Sequence, residues 1–400
     1  MADISLWLMA AGIFTGEGIA IAGVCMALLA AAWSAVYALA RKQKISGAFF
    51  WNGTFSIFAA FACWSLISVT WASKTPNISD ISRLFDLSAM VLVAWLWGLA
   101  SRRGIRITIW IVLVLAAANS VVAIWQHFSP MDFPLPVIPG MNASRVLEKA
   151  PGGGYMAGGL VFHRLRLANL LALVIPCLVF AAPAAKGVTR WAVVINIVLA
   201  VPAMVFCYAR TQLLSMIIGT GLCLLLMLSG RRSPGIRRLG LAGIVVLLAC
   251  SAVIFTNPGV IARYSRGGLE DRMSIWSATI QAAAERPLTG HGLGTASSVL
   301  GDRLKETMPG FSAWSHNQFL TVLVTTGAIG LLLWLMLWLG IMRHAWKLAS
   351  GRAETMGLLA GLVALQLISL NHDPFFHPIT GITFASAAAL SIAYSRRKND

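Results

Sequence analysis

Charge is what this chain has least of. Only 11% of its 400 residues are charged, whereas a water-facing shell needs about a quarter or more, so a soluble globular surface is excluded. Carboxylates are scarcer still, with 14 Asp and Glu against 31 Lys and Arg. No closely spaced pair of them resembles a divalent-metal site of the kind that handles nucleotide sugars, because Glu270 and Asp271 are adjacent and point to different helix faces. Metal independence is therefore expected, and no cofactor is implied. The six cysteines (Cys25, Cys63, Cys177, Cys207, Cys223 and Cys250) sit inside apolar runs without a CxxC pair, which reads as small core hydrophobes and not as disulfides, zinc ligands or nucleophiles. The first residues, MADISLW, carry no basic n-region and no small-residue cleavage site, so removal of a signal peptide is not expected.

What fills the chain instead is apolar sequence: 58% hydrophobic residues and a mean hydropathy of +0.78. Apolar stretches of membrane-crossing length, roughly 17 to 25 residues, recur throughout, and the segments of about ten alternating residues that mark a β-barrel do not. The fold class expected is an all-α polytopic membrane protein in a single transmembrane domain over 1–400. Spans are expected near 19–40, 50–72, 80–100, 107–126, 159–182, 191–208, 213–229, 240–256, 317–342, 356–371 and 379–395. Residues 4–16 are either a further span or a re-entrant segment, and a total of about twelve with both termini cytoplasmic is the preferred count.

Basic clusters mark cytoplasmic loops. They stand at Arg41–Lys44, Arg102–Arg106, Lys186–Arg190, Arg231–Arg238, Arg343–Arg352 and Arg396–Lys398, each recurring after two apolar spans. The opposite, outer face then receives two large loops, 127–158 and 257–316. The first is rich in Pro and Gly and reads as irregular structure able to act as a lid. The second holds a helix beginning after Gly268, with Glu270 and Asp271 at its N-terminus and Pro287 closing it. Met273, Trp276, Ile280 and Ala284 recur there at helical spacing, which places the helix on the membrane surface or against the bundle. The net charge of +17 is divided between two faces of a membrane, which argues against nucleic acid. Topology and anionic lipid account for the cytoplasmic clusters. The outer surplus, including Arg210, Arg263, Arg266, Arg272, Arg286 and Arg303, asks for an anionic substrate.

Strict alternation brings Arg210, Arg272 and His316 to that same outer interface. Arginine offers a planar fork for phosphate, and two of them suit a diphosphate. Histidine is the side chain best matched to taking a proton from a hydroxyl near neutral pH, and neighbouring guanidiniums favour its neutral form. Taken singly, each has a plain structural explanation: Arg210 on headgroups, Arg272 on a loop carboxylate, His316 capping a span. Arg266, His163, Arg164, Asn317, Gln318 and Trp276 are the candidate substrate-binding residues around them. Asp86 reads as a membrane carboxylate paired with Arg83. The run NHDPFFHP, with His372, Asp373 and His377, reads as an Asp-Pro turn with interfacial aromatics, since its spacing matches no metal pattern. GHGLG at Gly290–Gly294 reads as a tight turn.

Three motifs give the chain a resemblance. They are HNQFLTVLVTTGAIG, in which ten residues separate His316 from Gly327; DRMSIWSATIQAAAERPLTGHGLG, with Arg272, Trp276, Pro287 and Gly290; and Arg210 with three residues between it and Leu214. These are similar to the O-antigen ligase and polymerase superfamily of bacterial membrane glycosyltransferases, over about Gly158 to Met342. Ala209-Arg210-Thr211 departs from the Ser-Arg-small pattern frequent in that family. The resemblance implies a GT-C-like architecture, a glycan donor on undecaprenyl diphosphate, a lipid A-core acceptor, and an active site on the periplasmic side of the bacterial inner membrane. It also implies an inverting, metal-independent transfer with His316 as general base and Arg210 and Arg272 on the diphosphate. A monomer among membrane lipids is expected. Alternatives are a polymerase using the same donor and, from another class, a flippase or transporter for an anionic lipid. The latter is disfavoured because only Asp86 reads as a deep charge and the halves show no repeat.

Overall fold

The computed structural model describes residues 2–15, 19, 22–28, 53–129, 147–150, 153–161, 163–229, 269–309, 315–351, 355–376 and 378–396. Among these the protein is almost entirely helical, with no strand and one isolated β-bridge between Lys149 and Tyr155. The named helices, in chain order, are α1 (Ala2–Thr15), α2 (Gly53–Ile67), α3 (Ile78–Leu99), α4 (Arg102–Phe128), α5 (Arg164–Ala181), α6 (Gly187–Phe206), α7 (Arg210–Ser229), α8 (Leu269–Glu285), α9 (Ala296–Leu304), α10 (Gln318–Gly351), α11 (Met356–Ser369) and α12 (Pro378–Arg396).

Among the described residues, six segments are long and apolar enough to cross a bilayer: Gly53–Trp71, Arg102–Phe128, Arg164–Ala181, Gly187–Phe206, Arg210–Leu228 and Gln318–Ser350. The expected span over 240–256 and most of that over 19–40 lie outside the described residues, as do Arg41–Lys44, Arg231–Arg238, Arg352, Arg397, Lys398 and His377. Of the stretch 4–16, residues 4–15 belong to the 14-residue α1, about 21 Å long and so shorter than a hydrocarbon core of about 30 Å, and residue 16 lies outside the described residues.

Polar side chains fix where helices begin and how they meet. Ser101 caps α4 by accepting from Gly104 N at 2.8 Å, and the Asp3 carboxylate of α1 in turn accepts from Ser101 N at 3.1 Å and Ser101 Oγ at 2.8 Å. At the other end of the same helix pair, Asn119 Nδ2 donates to Phe14 O at 2.7 Å while its Oδ1 accepts from Leu160 N at 2.9 Å. Such bonds relieve terminal groups that lipid cannot satisfy. The helix α11 is buried between α5 and α7 because small residues let backbones approach. A Cβ on Gly219 of α7 would lie 2.6 Å from Ala360 O, and one on Gly357 would lie 2.5 Å from Cys177 Cα.

The connections 72–77, 147–161, 207–209, 286–295, 315–317 and 370–377 gather at one end of the bundle. Asn77 N donates to Gly294 O at 2.9 Å, Ala157 N to Phe206 O at 2.9 Å and Asn317 Nδ2 to Leu370 O at 3.0 Å. The helix expected in the second loop is α8, but the stripe of Met273 and Ile280 is not its packing face. These residues are 57% and 55% exposed, whereas Ile275, Ala278, Thr279 and Ala282 are buried. Small side chains bring α8 close to α9 and α10, and the larger apolar ones are turned outward.

Candidate active site

The histidine of interest sits ahead of a broken helix. Within α10, Gly327 has φ 68° and ψ −171°, a conformation in effect reserved for glycine. The break frees backbone groups, and the loop after α8 takes them up. Ala328 N donates to Pro287 O, His291 N to Val324 O and Gly292 N to Thr325 O, each at 2.8 Å. GHGLG is thus a tight turn, as expected, and also the wedge seated in the α10 break. His291 locks it from behind, with Nε2 on Ala282 O at 2.8 Å and Nδ1 accepting from Ser73 Oγ at 3.0 Å. Trp64 adds a clasp from α2, donating to Thr326 O at 2.8 Å.

At the start of α10, Asn317 is the cap. Its Oδ1 accepts from Phe319 N at 3.0 Å and Leu320 N at 3.2 Å, the arrangement that satisfies orphan N–H groups of a first turn. With Nδ2 on Leu370 O, the Asn317 amide is committed to structure at both atoms. His316, one residue earlier, is left with a positive φ of 54°. A buried carboxylate stands behind that kink: Asp373 accepts from Thr321 Oγ1 at 2.8 Å and lies close enough to the backbone N–H groups of His316 and Asn317 to feel them. Burial is the largest influence on Asp373 and raises its pKa to about 7, against those three donors and with a further upward push from Asp80. The neighbouring His372 accepts from Asp373 N through Nδ1 at 3.0 Å, and its ring meets that of His316 edge to face, 6.0 Å between centroids.

Arg272, on the first turn of α8, reaches the same place. Its Nη1 donates to Asn371 O at 3.1 Å and Asn371 Oδ1 at 3.3 Å, at the turn that carries His372 and Asp373. It is half-buried, and desolvation first and the Arg210 charge second lower its pKa below the ordinary arginine value. The His316 pKa is also lowered, mainly by burial and then by the Arg272 charge. Arg272 is thus near enough to feel the Arg210 charge, and His316 near enough to feel that of Arg272. Like charges crowding a half-buried imidazole favour its neutral, proton-accepting form.

The remaining expected residues are more dispersed. Gln318 is buried and lines a cavity with Asp80, Arg83 and Thr321, to which His316, Arg210 and Arg272 contribute nothing. Trp276 is half-buried on α8. His163 and Arg164 stand at the start of α5, with Arg164 Nε 3.7 Å from Glu148 Oε2. Arg266 and Arg263 lie outside the described residues. Arg83 and Asp86 pair at 3.7 Å, one turn apart on α3. Sequence reading missed Asp373, which looked like half of an Asp-Pro turn. The signal available was a carboxylate directly before an apolar span with no basic residue beside it. Among the described residues no group of three or more His, Cys, Asp or Glu side chains is placed to hold a metal ion.

Residues 195–335 match the family described as O-antigen ligase, a segment that starts within α6 and ends inside α10, and so contains Arg210, Arg272, His316 and Gly327. The superfamily resemblance drawn from the motifs is the one that this match supports. No curated protein matches the chain.

Proposed function

We propose that the protein is a ligase that moves a glycan from undecaprenyl diphosphate to a hydroxyl of a lipid A-core acceptor on the periplasmic face of the inner membrane. The family match supports an O-antigen ligase or polymerase type of glycosyltransferase in a membrane. The observation that carries the finer reading is the sequence of neighbours Arg210, Arg272 and His316 described above.

In this reading the acceptor O–H gives its proton to the neutral His316 ring as its oxygen attacks the anomeric carbon. The bond to the diphosphate oxygen breaks on the opposite face, inverting that centre, and the leaving group departs with the electron pair. Arg272, half-buried and held by Asn371, and Arg210 meet the negative charge that grows on the diphosphate; in a water-poor site such charges stabilise a transition state more than they would in bulk water. His372, on the edge of the His316 ring, and Asp373, on its backbone, keep the base in place.

The test is reconstitution of the purified protein with undecaprenyl-diphosphate glycan and either lipid A core or a second lipid-linked glycan. Glycosylated lipid A core supports the ligase, whereas elongated lipid-linked chains alone would replace it with a polymerase. His316→Asn is the variant of choice, because asparagine tolerates a positive φ and removes the imidazole without forcing the backbone. It should abolish transfer with an unchanged melting temperature; retained transfer would end the general-base role.

A further inference from the structure

Behind the first turn of α10, on the side away from Arg272, lies a cavity of about 40 Å³ bounded by α2, α3, α10, Leu293 and Phe375. Its walls are mostly apolar, from Phe61, Leu84, Leu87, Val322 and Trp334. An apolar cavity of this size would stay empty, but four residues lining this one carry buried polar atoms without a hydrogen-bond partner: Ser65 Oγ, Gln318 Oε1, Arg83 Nε and Trp334 Nε1. Ser65 is fully buried and Gln318 is 5% exposed, so bulk water does not serve them. Leaving such groups unpaired in a buried place is unfavourable, so the space asks for a partner.

The chemistry of the lining selects the guest. Three threonine hydroxyls at the wall have already spent their protons, Thr321 on Asp373 Oδ1 at 2.8 Å, Thr325 on Thr321 O at 2.7 Å and Thr326 on Val322 O at 2.7 Å. Thr325 and Thr326 are left able only to accept there, as is the unpartnered amide oxygen of Gln318, so an anion is disfavoured, all the more with the buried Asp80 among the lining residues. A cation would suit those oxygens but would face the Arg83 guanidinium, which needs an acceptor. Only a guest that both donates and accepts satisfies Arg83 and Trp334 together with Ser65 and Gln318. Water does so, and the volume accommodates about one to three molecules, since each needs about 10–15 Å³.

We propose that this cavity is a built hydration site, whose water bridges α2, α3 and the first turn of α10 directly behind Thr321 and Asp373. This water completes the polar shell of the turn that carries His316, and it does not depend on which glycan the protein transfers.

Radiolytic hydroxyl labelling of the intact protein in detergent tests it, because radicals form where water is bound. Trp334 and Trp338 are 1% and 3% exposed on the same helix, and only Trp334 lines the cavity. Trp334 should be oxidised several-fold faster than Trp338. In Ser65→Val, which fills part of the space, and in Gln318→Met, which removes an acceptor at similar size, Trp334 oxidation should fall to the Trp338 level while Trp338 stays constant, showing that the fold is kept. Equal protection of both tryptophans in the wild type overturns the proposal. So does Trp334 oxidation that neither variant lowers, which would mean open access from bulk solvent and no built site.

Discussion

Replacing Gly327 by alanine probes the account of the α10 break. The backbone there, at φ 68° and ψ −171°, costs a residue with a side chain about 1–3 kcal/mol. The added Cβ would also overlap the Leu288 carbonyl and stand 2.5 Å from Thr289 N. Neither can yield cheaply, because the loop that bears them is pinned from behind: Ser73 N donates to His291 O at 2.9 Å and Asn77 N to Gly294 O at 2.9 Å. Retreat of the loop would stretch its bonds to Val324, Thr325 and Ala328. Losing two of them at about 1 kcal/mol each brings the cost to roughly 3–5 kcal/mol, a large share of a stability of about 5–15 kcal/mol. Thermal melting of the purified protein, followed through its 15 tryptophans, should show the midpoint fall by about 5 °C or more. Gly53→Ala is the control, since a Cβ at Gly53 meets nothing within 4 Å and the midpoint should hold or rise slightly. If Gly327→Ala melts with the wild type, the loop does not hold the break open and the reasoning fails. Transfer should fall with stability, because His316 precedes the same helix.

Asn317→Ala should destabilise by about 1 kcal/mol through the lost cap, with Asn317→Ser intermediate because it caps α10 but cannot reach Leu370; a midpoint unchanged in both would return Asn317 to the substrate-binding candidates. The lowered His316 pKa places the acid limb of the kcat/KM profile below the ordinary histidine value of about 6.5, and in Arg272→Gln the His316 pKa followed by NMR should rise only part of the way back, since burial is the larger cause. Asp373, raised from 3.8 to about 7, keeps its proton in the folded state where the unfolded chain has lost it, so its stabilisation is complete below about pH 4 and is lost as the pH rises to about 7. Asp373→Asn should remove that part of the melting-temperature slope, and an identical slope in the variant would refute the assignment.

Helices were legible where composition changes abruptly. Apolar runs bounded by basic clusters give α11 and α12 to within two residues and α4 to α7 to within five, while α10 runs nine residues past its expected end; exposed backbone in lipid leaves the chain little choice but helix. The face of α8 was not legible. Hydrophobic spacing chose Met273 and Ile280, but close packing on α10 rewards small side chains, and a periodic pattern does not say whether it meets protein or membrane. The turn at Gly290–Gly294 was readable as a turn, yet its partner Gly327 was not, since a wedge made of backbone atoms leaves no trace in side-chain pattern. Of the candidate site, Arg210, Arg272 and His316 could be placed on one face by alternation of spans. Gln318 could not be separated from Asn317 by position in the sequence, although one points into a cavity and the other caps a helix.

The turn between α11 and α12 holds Arg272 and the start of α10 to one place. Leu370 O receives Asn317, Asn371 receives Arg272, and Asp373 receives Thr321 and stands close to the backbone of His316. Three positions of one connection therefore address the cap and imidazole at the start of α10 and the guanidinium on α8. The large loop before α10 supplies Arg272 and His316, but the separation between them is set by this third element, which is anchored by the buried α11 and by α12 packed on α3. In the proposed reading, such an arrangement separates the residues assigned to the chemistry from those that space them. Substitutions at Asn371 or Asp373 should then lower kcat more than they raise KM, because they misplace charges in the transition state while leaving the groups that contact substrate in the chain.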